Sequence, residues 1–320
     1  MRVFAPALPV LLFVLGPLIP LPSAAAGLEV VASFSVLADM VDRVGGPKVS
    51  VVTLVGPGQD PHSYRPTPND LRTLAKSKLV FVNGAGFEGW LERLITASGF
   101  EGVLVNATEG LALRAPSSTE GTGVRVGEVA RAGTLARQVR GRSEFDPHAW
   151  QDPHLGMQYV GNIESGFVAA DPANASGYRR RAAAYRDEIG ATYVALARTI
   201  DAVPETQRRI VVPHAGFGYL ARAFHVTAFS PGGRAAHGEI SAARLAELAR
   251  RVRAGAARAI FLEPSTNPRI VRQLARETGV PIGGVLYSDT LSGPDGVAPT
   301  YLAMLRHNIE SLARALGGVR

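Results

Sequence analysis

Residues 173–202 read ANASGYRRRAAAYRDEIGATYVALARTIDA, with no proline and no internal turn signal beyond Gly177 and Gly190. A segment of that kind predicts one long helix, about 45 Å from end to end at ~1.5 Å per residue. On both sides of it the pattern changes. Short β-rich apolar runs there alternate with helical stretches. Before it the runs are Leu28–Ser33, Ser50–Val55, Leu79–Asn83 and Gly102–Asn106. After it they are Arg209–Pro213, Val226–Phe229, Ala259–Glu263 and Ile282–Tyr287. Thr67-Pro68 is a typical helix start, an N-cap followed by proline in the first turn. Alternating strands and helices imply parallel sheets flanked by helices. The expected fold is therefore α/β, with two similar lobes, each with a mainly parallel four-stranded sheet. One lobe spans residues 27–172 and the other 204–320, with a rigid linking helix over 173–203. Residues 115–144, rich in Gly, Ser, Thr and Arg, read as a long loop in which Val124–Val139 can form a short hairpin.

The bulk composition narrows the class. Apolar residues make up 46% of the 320, enough for a packed core, and the formal charge is +7. The arginines lie mostly in helical stretches such as Arg179-Arg180-Arg181, without interleaved aromatics, so they read as a solvated surface and not as a nucleic-acid platform. There is no cysteine, which removes disulfides, thiolate ligands, cysteine nucleophiles and a lipid anchor on cysteine. Residues 1–26 read as a cleaved signal peptide: Arg2, a proline-interrupted apolar run over Ala7–Pro20, then Ala24-Ala25-Ala26. A periplasmic protein is expected.

Three histidines follow Asp-Pro (His62, His148 and His154), and His214 follows Pro213. Proline stiffens the backbone that presents them. His62 follows the second strand run, His148 the last run of the first half, His214 the first run of the second half, and Asp289 the last run of all. Ligands in open α/β sheets bind beyond the carboxyl ends of the strands. Two groups from each half, three imidazoles and one carboxylate, can therefore meet in a cleft as a Zn²⁺ environment. His154, His225, His237 and His307 are read as ordinary loop or helix residues, His237 being the first candidate for an extra ligand. A rival motif, Gly84-Ala85-Gly86-Phe87-Glu88-Gly89, spells the dinucleotide fingerprint, with Glu109 about twenty residues on. It follows the third strand of its half instead of the first, in a chain expected to be secreted. Its glycines are read as a tight turn. Nucleophile-elbow, P-loop and zinc-protease motifs are absent from the sequence.

These motifs carry a resemblance. Val31–Met40, Gly58–Pro68, Asn83–Leu91, Asp146–Pro153 and Val212–Leu220, with Phe261–Pro264 and Thr300–Leu302, are similar in order to stretches of the zinc/manganese substrate-binding proteins of bacterial ABC transporters, the class whose lobes are joined by one long helix. The resemblance covers almost the whole chain after residue 26. It implies His62, His148, His214 and Asp289 as metal ligands and leaves His154 out. It also implies a monomer, not an enzyme, that passes its metal to a membrane permease. Two departures stand out: residues 115–144 contain no histidine, and His225 stands where relatives usually have glycine. Three histidines tilt the expected cargo towards Zn²⁺, with Mn²⁺ as the alternative. A secreted adhesin or metallochaperone on the same fold, and a metallohydrolase, are the other functional classes considered.

Overall fold

The computed structural model describes residues 27–115, 130–131, 145–231 and 242–317. The signal segment, most of the 115–144 loop and His237 lie outside the described residues. In the first half, β1 (Leu28–Phe34), α1 (Ser35–Gly45), β2 (Val49–Val55), α2 (Pro68–Lys76), β3 (Leu79–Val82), α3 (Leu91–Ser98) and β4 (Val103–Asn106) follow one another. The sheet order is β2-β1-β3-β4, all parallel. Two short strands, β5 (Ala112–Leu113) and β6 (Ala130–Arg131), pair antiparallel. The hairpin expected within 124–139 lies, apart from Ala130–Arg131, outside the described residues. That described part, Ala130–Arg131, pairs back to Ala112–Leu113, where Leu113 is buried.

Next come α4 (Pro153–Ala170) and the long helix α5 (Ala175–Asp201). The second half contains β7 (Arg209–Val211), α6 (Gly218–Ala223), β8 (Thr227–Phe229), α7 (Ala242–Arg251), β9 (Ala259–Leu262), α8 (Pro268–Thr278), β10 (Ile282–Val285) and α9 (Tyr301–Ala315). Its sheet order is β10-β9-β7-β8, again parallel. All eight strand runs read from the sequence form strands, and Thr67 caps α2 in a reciprocal box with Asp70.

α5 is a continuous 27-residue helix, about 40 Å long at ~1.5 Å per residue. Its buried side chains, Tyr178, Ala182, Tyr185, Ile189, Leu196 and Ile200 among them, recur at three- and four-residue spacing and form one stripe. That stripe packs on α1 and α4 of the first half and on α9 of the second. Polar contacts lock the seam. Arg181 donates to the carbonyls of Val44 and Gly45 at the end of α1, and Arg306 of α9 donates to Thr192.

Asp39 of α1 sits where the three elements meet. Its carboxylate accepts the backbone N–H of Tyr301 at 2.9 Å, in the first turn of α9, and faces the Tyr185 hydroxyl of α5 at 3.4 Å. Desolvation raises its pKa to about 6, against the pull of the Tyr301 N–H and of Arg43. A carboxyl whose folded pKa is raised favours the folded state fully below about 4 and loses that contribution as the pH rises through about 6. Asp39→Asn keeps the shape and the acceptor while removing the charge. The variant should melt at a higher temperature than the parent at pH 7.5, with the gap closing as the pH falls towards 4, when both are scanned by calorimetry metal-free.

Candidate metal centre

The carboxyl ends of the two sheets face each other. His62 is carried by the loop after β2. The indole of Trp90 donates to the carbonyl of Pro61 at 2.7 Å, and the backbone N–H of His62 donates to Asp60 at 2.9 Å, so the loop is fixed on both sides of the ring. Gly58 N–H crosses to the second half and donates to the Thr290 hydroxyl at 2.7 Å. His148 follows Asp146-Pro147 at the start of a single helical turn, Ala149–Gln151. Asp146 takes both the backbone N–H of His148, at 3.1 Å, and its ring Nδ1, at 2.7 Å. Asn83, at the end of β3, holds the Pro147 carbonyl.

In the second half, His214 lies three residues beyond β7. Its Nδ1 faces Glu263, at the end of β9, at 2.9–3.0 Å from the two carboxylate oxygens. The same carboxylate accepts the Ser288 hydroxyl at 2.7 Å, so one acid fixes both His214 and the neighbour of Asp289. Trp150 and Gln151 of the first half donate to the Ser288 carbonyl at 2.9 and 3.0 Å, while Tyr301 returns a hydroxyl to the Trp150 carbonyl at 2.7 Å.

All four residues singled out from the sequence converge. One donor atom from each of His62, His148, His214 and Asp289 lies within 4.8 Å of every other. The Nε2 atoms of His62 and His148 are 3.1 Å apart, and Asp289 Oδ2 lies 3.2 Å from His62 Nε2 and 3.1 Å from His214 Nε2. Asp289 Oδ1 lies 3.5 Å from His148 Nε2. A tetrahedral ion with bonds near 2.0–2.1 Å needs ligand atoms about 3.3 Å apart. The donor set fits. The two carboxylates behind the rings accept Nδ1–H from His148 and His214, which leaves each Nε2 lone pair aimed at the centre. His214 Nε2 and Asp289 Oδ1 are buried and make no hydrogen bond of proper geometry, a costly state that a cation relieves.

The charges are strongly coupled. Burial raises the Asp289 pKa, but the charges of His214 and His148 overcome it and hold the carboxyl well below its usual range. Burial works against a cationic His214, yet the Glu263 and Asp289 carboxylates push its pKa well above that of an ordinary imidazole. His62 behaves differently, with burial lowering its pKa against the pull of Asp289.

The remaining described histidines stay apart from the site. His154 sits in the first turn of α4 with its ring against Tyr193 at 4.6 Å. His307 reaches the Val285 carbonyl at 2.9 Å. His225 is exposed at φ 51°, in the left-handed region where glycine is at ease.

The G-x-G-x-x-G stretch belongs to the centre, though not as a nucleotide loop. The Glu88 carboxylate takes the N–H groups of Asn83 and Gly84 at 2.7 and 3.1 Å and the Ser33 hydroxyl at 2.6 Å. The amides of Gly84, Phe87 and Gly89 are thus taken within the turn and are not left for a pyrophosphate. The turn delivers Phe87 instead, an apolar wall 4.6 Å from the His62 ring and 5.8 Å from that of His148. Sequence reasoning missed Phe87, Glu263 and Gly216. A Cβ on Gly216 would stand 2.3 Å from His214 Nε2, so only glycine leaves that nitrogen open. The one sequence signal for Glu263 is its place at a strand's carboxyl end.

Glu263→Gln keeps the shape but weakens the grip on Nδ1–H. It should lower metal affinity by about 10–100-fold, as loss of such outer partners does elsewhere. Titration of the metal against tryptophan fluorescence measures this, since both tryptophans touch the site's framework.

Comparison with known proteins agrees with this geometry. The model of the family described as zinc-uptake complex component A, periplasmic, matches residues 30–315. The manganese-binding lipoprotein MntA of Halalkalibacterium halodurans is 28% identical over 291 residues, covering 91% of this chain and 89% of that one. The iron-binding protein YfeA of Yersinia pestis is 27% identical, covering 90% and 86%. Among solved structures, the periplasmic zinc-binding protein TroA of Treponema pallidum superposes with a TM-score of 0.77 at 26% identity, over 91% of this chain and 99% of that one. A manganese-bound periplasmic metal-binding protein of Candidatus Liberibacter asiaticus reaches 0.75 at 28% identity, over 90% and 99%. The chain belongs to the periplasmic zinc-uptake component A family and is a divalent-metal-binding, substrate-binding protein of an ABC transporter, not an enzyme.

Proposed function

We propose that this protein captures one divalent transition-metal ion, Zn²⁺ by preference, with His62, His148, His214 and Asp289 as its ligands, and hands it to a membrane permease. The observation that carries the proposal is the buried pair of unsatisfied atoms, His214 Nε2 and Asp289 Oδ1, among donors at ligand spacing. Three imidazoles favour zinc, because Mn²⁺ prefers carboxylates and water and stands below Zn²⁺ in affinity at a generic nitrogen/oxygen site. Manganese gains ground if Asp289 binds through both oxygens and raises the coordination to five. The relatives named for manganese and iron mark the ions against which the preference must be measured.

Four protein donors leave no open position for hydrolysis at the ion. Capture and release are then the whole cycle. The protein works as a monomer in the periplasm after loss of residues 1–26, with lobes 27–172 and 204–320 and the linking segment 173–203. The contacts that cross between halves are numerous and the helix is rigid, so separation of the lobes is small. No helix among the described residues is long and apolar enough to cross a membrane.

Purified protein stripped with chelator should bind about one Zn²⁺ per chain and keep it against excess Mn²⁺ in competition calorimetry. Undiminished affinity in both His214→Ala and Asp289→Ala would refute the ligand set. Preference for Mn²⁺ in the parent protein would refute the zinc assignment alone.

Capture is also expected to depend on pH. The Glu263 and Asp289 carboxylates raise the His214 pKa against burial and so favour a proton on its metal-free ring. A metal ion must displace that proton from Nε2, so affinity rises with pH, by about tenfold per unit for each proton released. Calorimetry in buffers of different ionisation enthalpy should detect at least one proton released at pH 7. No release would show that His214 is neutral before the ion arrives.

A further inference from the structure

The second half hides one face of its sheet under α7 and α8. Ile260 and Leu262 of β9 pack there with Leu248, Val252, Val271 and Leu274. Ala259 and Phe261 point to the opposite side, towards α9. The two helices are thus an outer layer, turned away from the long helix. Residues 242–279 hold eight arginines, no lysine and three glutamates, one of which, Glu263, is buried at the metal centre. Most of the chain's formal excess of +7 corresponds to this one layer.

Arg269, Arg272 and Arg276 are exposed and recur at i, i+3 and i+7, so they form one stripe along α8. Their side chains have no ion pair or hydrogen bond among the described residues. Three other cations of the layer are engaged: Arg250 pairs with Glu247, Arg253 donates to the Glu277 carbonyl at the end of α8, and Arg251 lies over the Phe229 ring.

We propose that this arginine face docks the protein on a membrane surface of anionic phospholipid. Guanidinium groups match phosphate in geometry and are weakly hydrated. The only aromatic residue in 242–279, Phe261, is fully buried, so the face offers no stacking platform for nucleic-acid bases. It also lacks the aromatic or apolar anchor on which specific protein interfaces are centred. A bilayer requires neither, because its charge is diffuse and its attraction is summed over several basic side chains. The benefit is chemical proximity: a protein whose partner is embedded in the membrane searches for it in two dimensions once held at the surface.

The test uses protein purified from the periplasm and sedimentation with vesicles of phosphatidylcholine, with or without one quarter phosphatidylglycerol. The parent protein should bind only the anionic vesicles and be released by high salt. The triple variant Arg269→Gln/Arg272→Gln/Arg276→Gln should bind them roughly a hundredfold more weakly, from about fivefold per basic residue near a charged surface. Its zinc titration should be unchanged, which separates this outcome from any failure of the metal site. Absence of binding to the anionic vesicles, or equal binding by the triple variant, overturns the proposal. So does a variant that keeps vesicle binding but loses binding to the permease in neutral-lipid discs, which would make the face a protein interface.

Discussion

Three carboxylates, those of Asp146, Glu263 and Asp289, are buried around three imidazoles, and everything else in the site follows from having to balance their charge. Two of them orient rings through Nδ1, and the third faces the Nε2 atoms directly. An isolated buried carboxylate is costly to keep ionised. Here the charges of the histidines lower the Asp289 pKa, and the Glu263 and Asp289 carboxylates raise that of His214. The arrangement that favours a dication at the centre also favours a proton there in its absence.

Because each half supplies two of the four donors, the site exists only when the halves are together. The hydrogen bonds that bring them together are clustered at the ligands. Trp150 and Gln151 reach Ser288 beside Asp289, Gly58 near His62 reaches Thr290, and Leu291 donates to Ser35. Opening the cleft would break these bonds and separate the four side chains in one movement. The long helix α5 limits that movement, since it packs on α1, α4 and α9 at once. Asp39 adds a bias at the same junction. It is a half-buried charge whose carboxylate reaches across to the first turn of α9, so its desolvation is relieved when the seam loosens.

The sequence made the skeleton legible because the skeleton is repetitive. Strand runs such as Leu79–Val82 are apolar on both faces and bounded by turn residues, and the stripe of α5 repeats over many turns, so local pattern suffices. His62, His148, His214 and Asp289 were legible because strand ends are the one place where an α/β sheet presents polar groups to a ligand. Glu263 obeys the same rule, but a lone acid at a strand end looks like a solvated residue until the partner ring is seen. Phe87 and Gly216 could not be read at all. Phe87 matters through a contact 25 residues away in the chain, and Gly216 through the fold of its own neighbour's ring over an empty position.

Charge is also distributed in a way that reconciles a basic protein with a cationic cargo. Attraction for the ion comes from three carboxylates buried within a few ångströms of it, in surroundings where screening is weak. The arginines of α7 and α8 lie in an outer layer, on the side of their sheet away from α9 and α5. A helix is about 10 Å across, comparable with the Debye length in physiological salt, so their repulsion of an approaching cation is largely screened. The excess positive charge can then be used on the outer face without loss of affinity at the centre. Lysine or arginine placed at the cleft itself would have no such protection, because the low-dielectric wall formed by Phe87 and Trp150 would carry its field straight to the ligands.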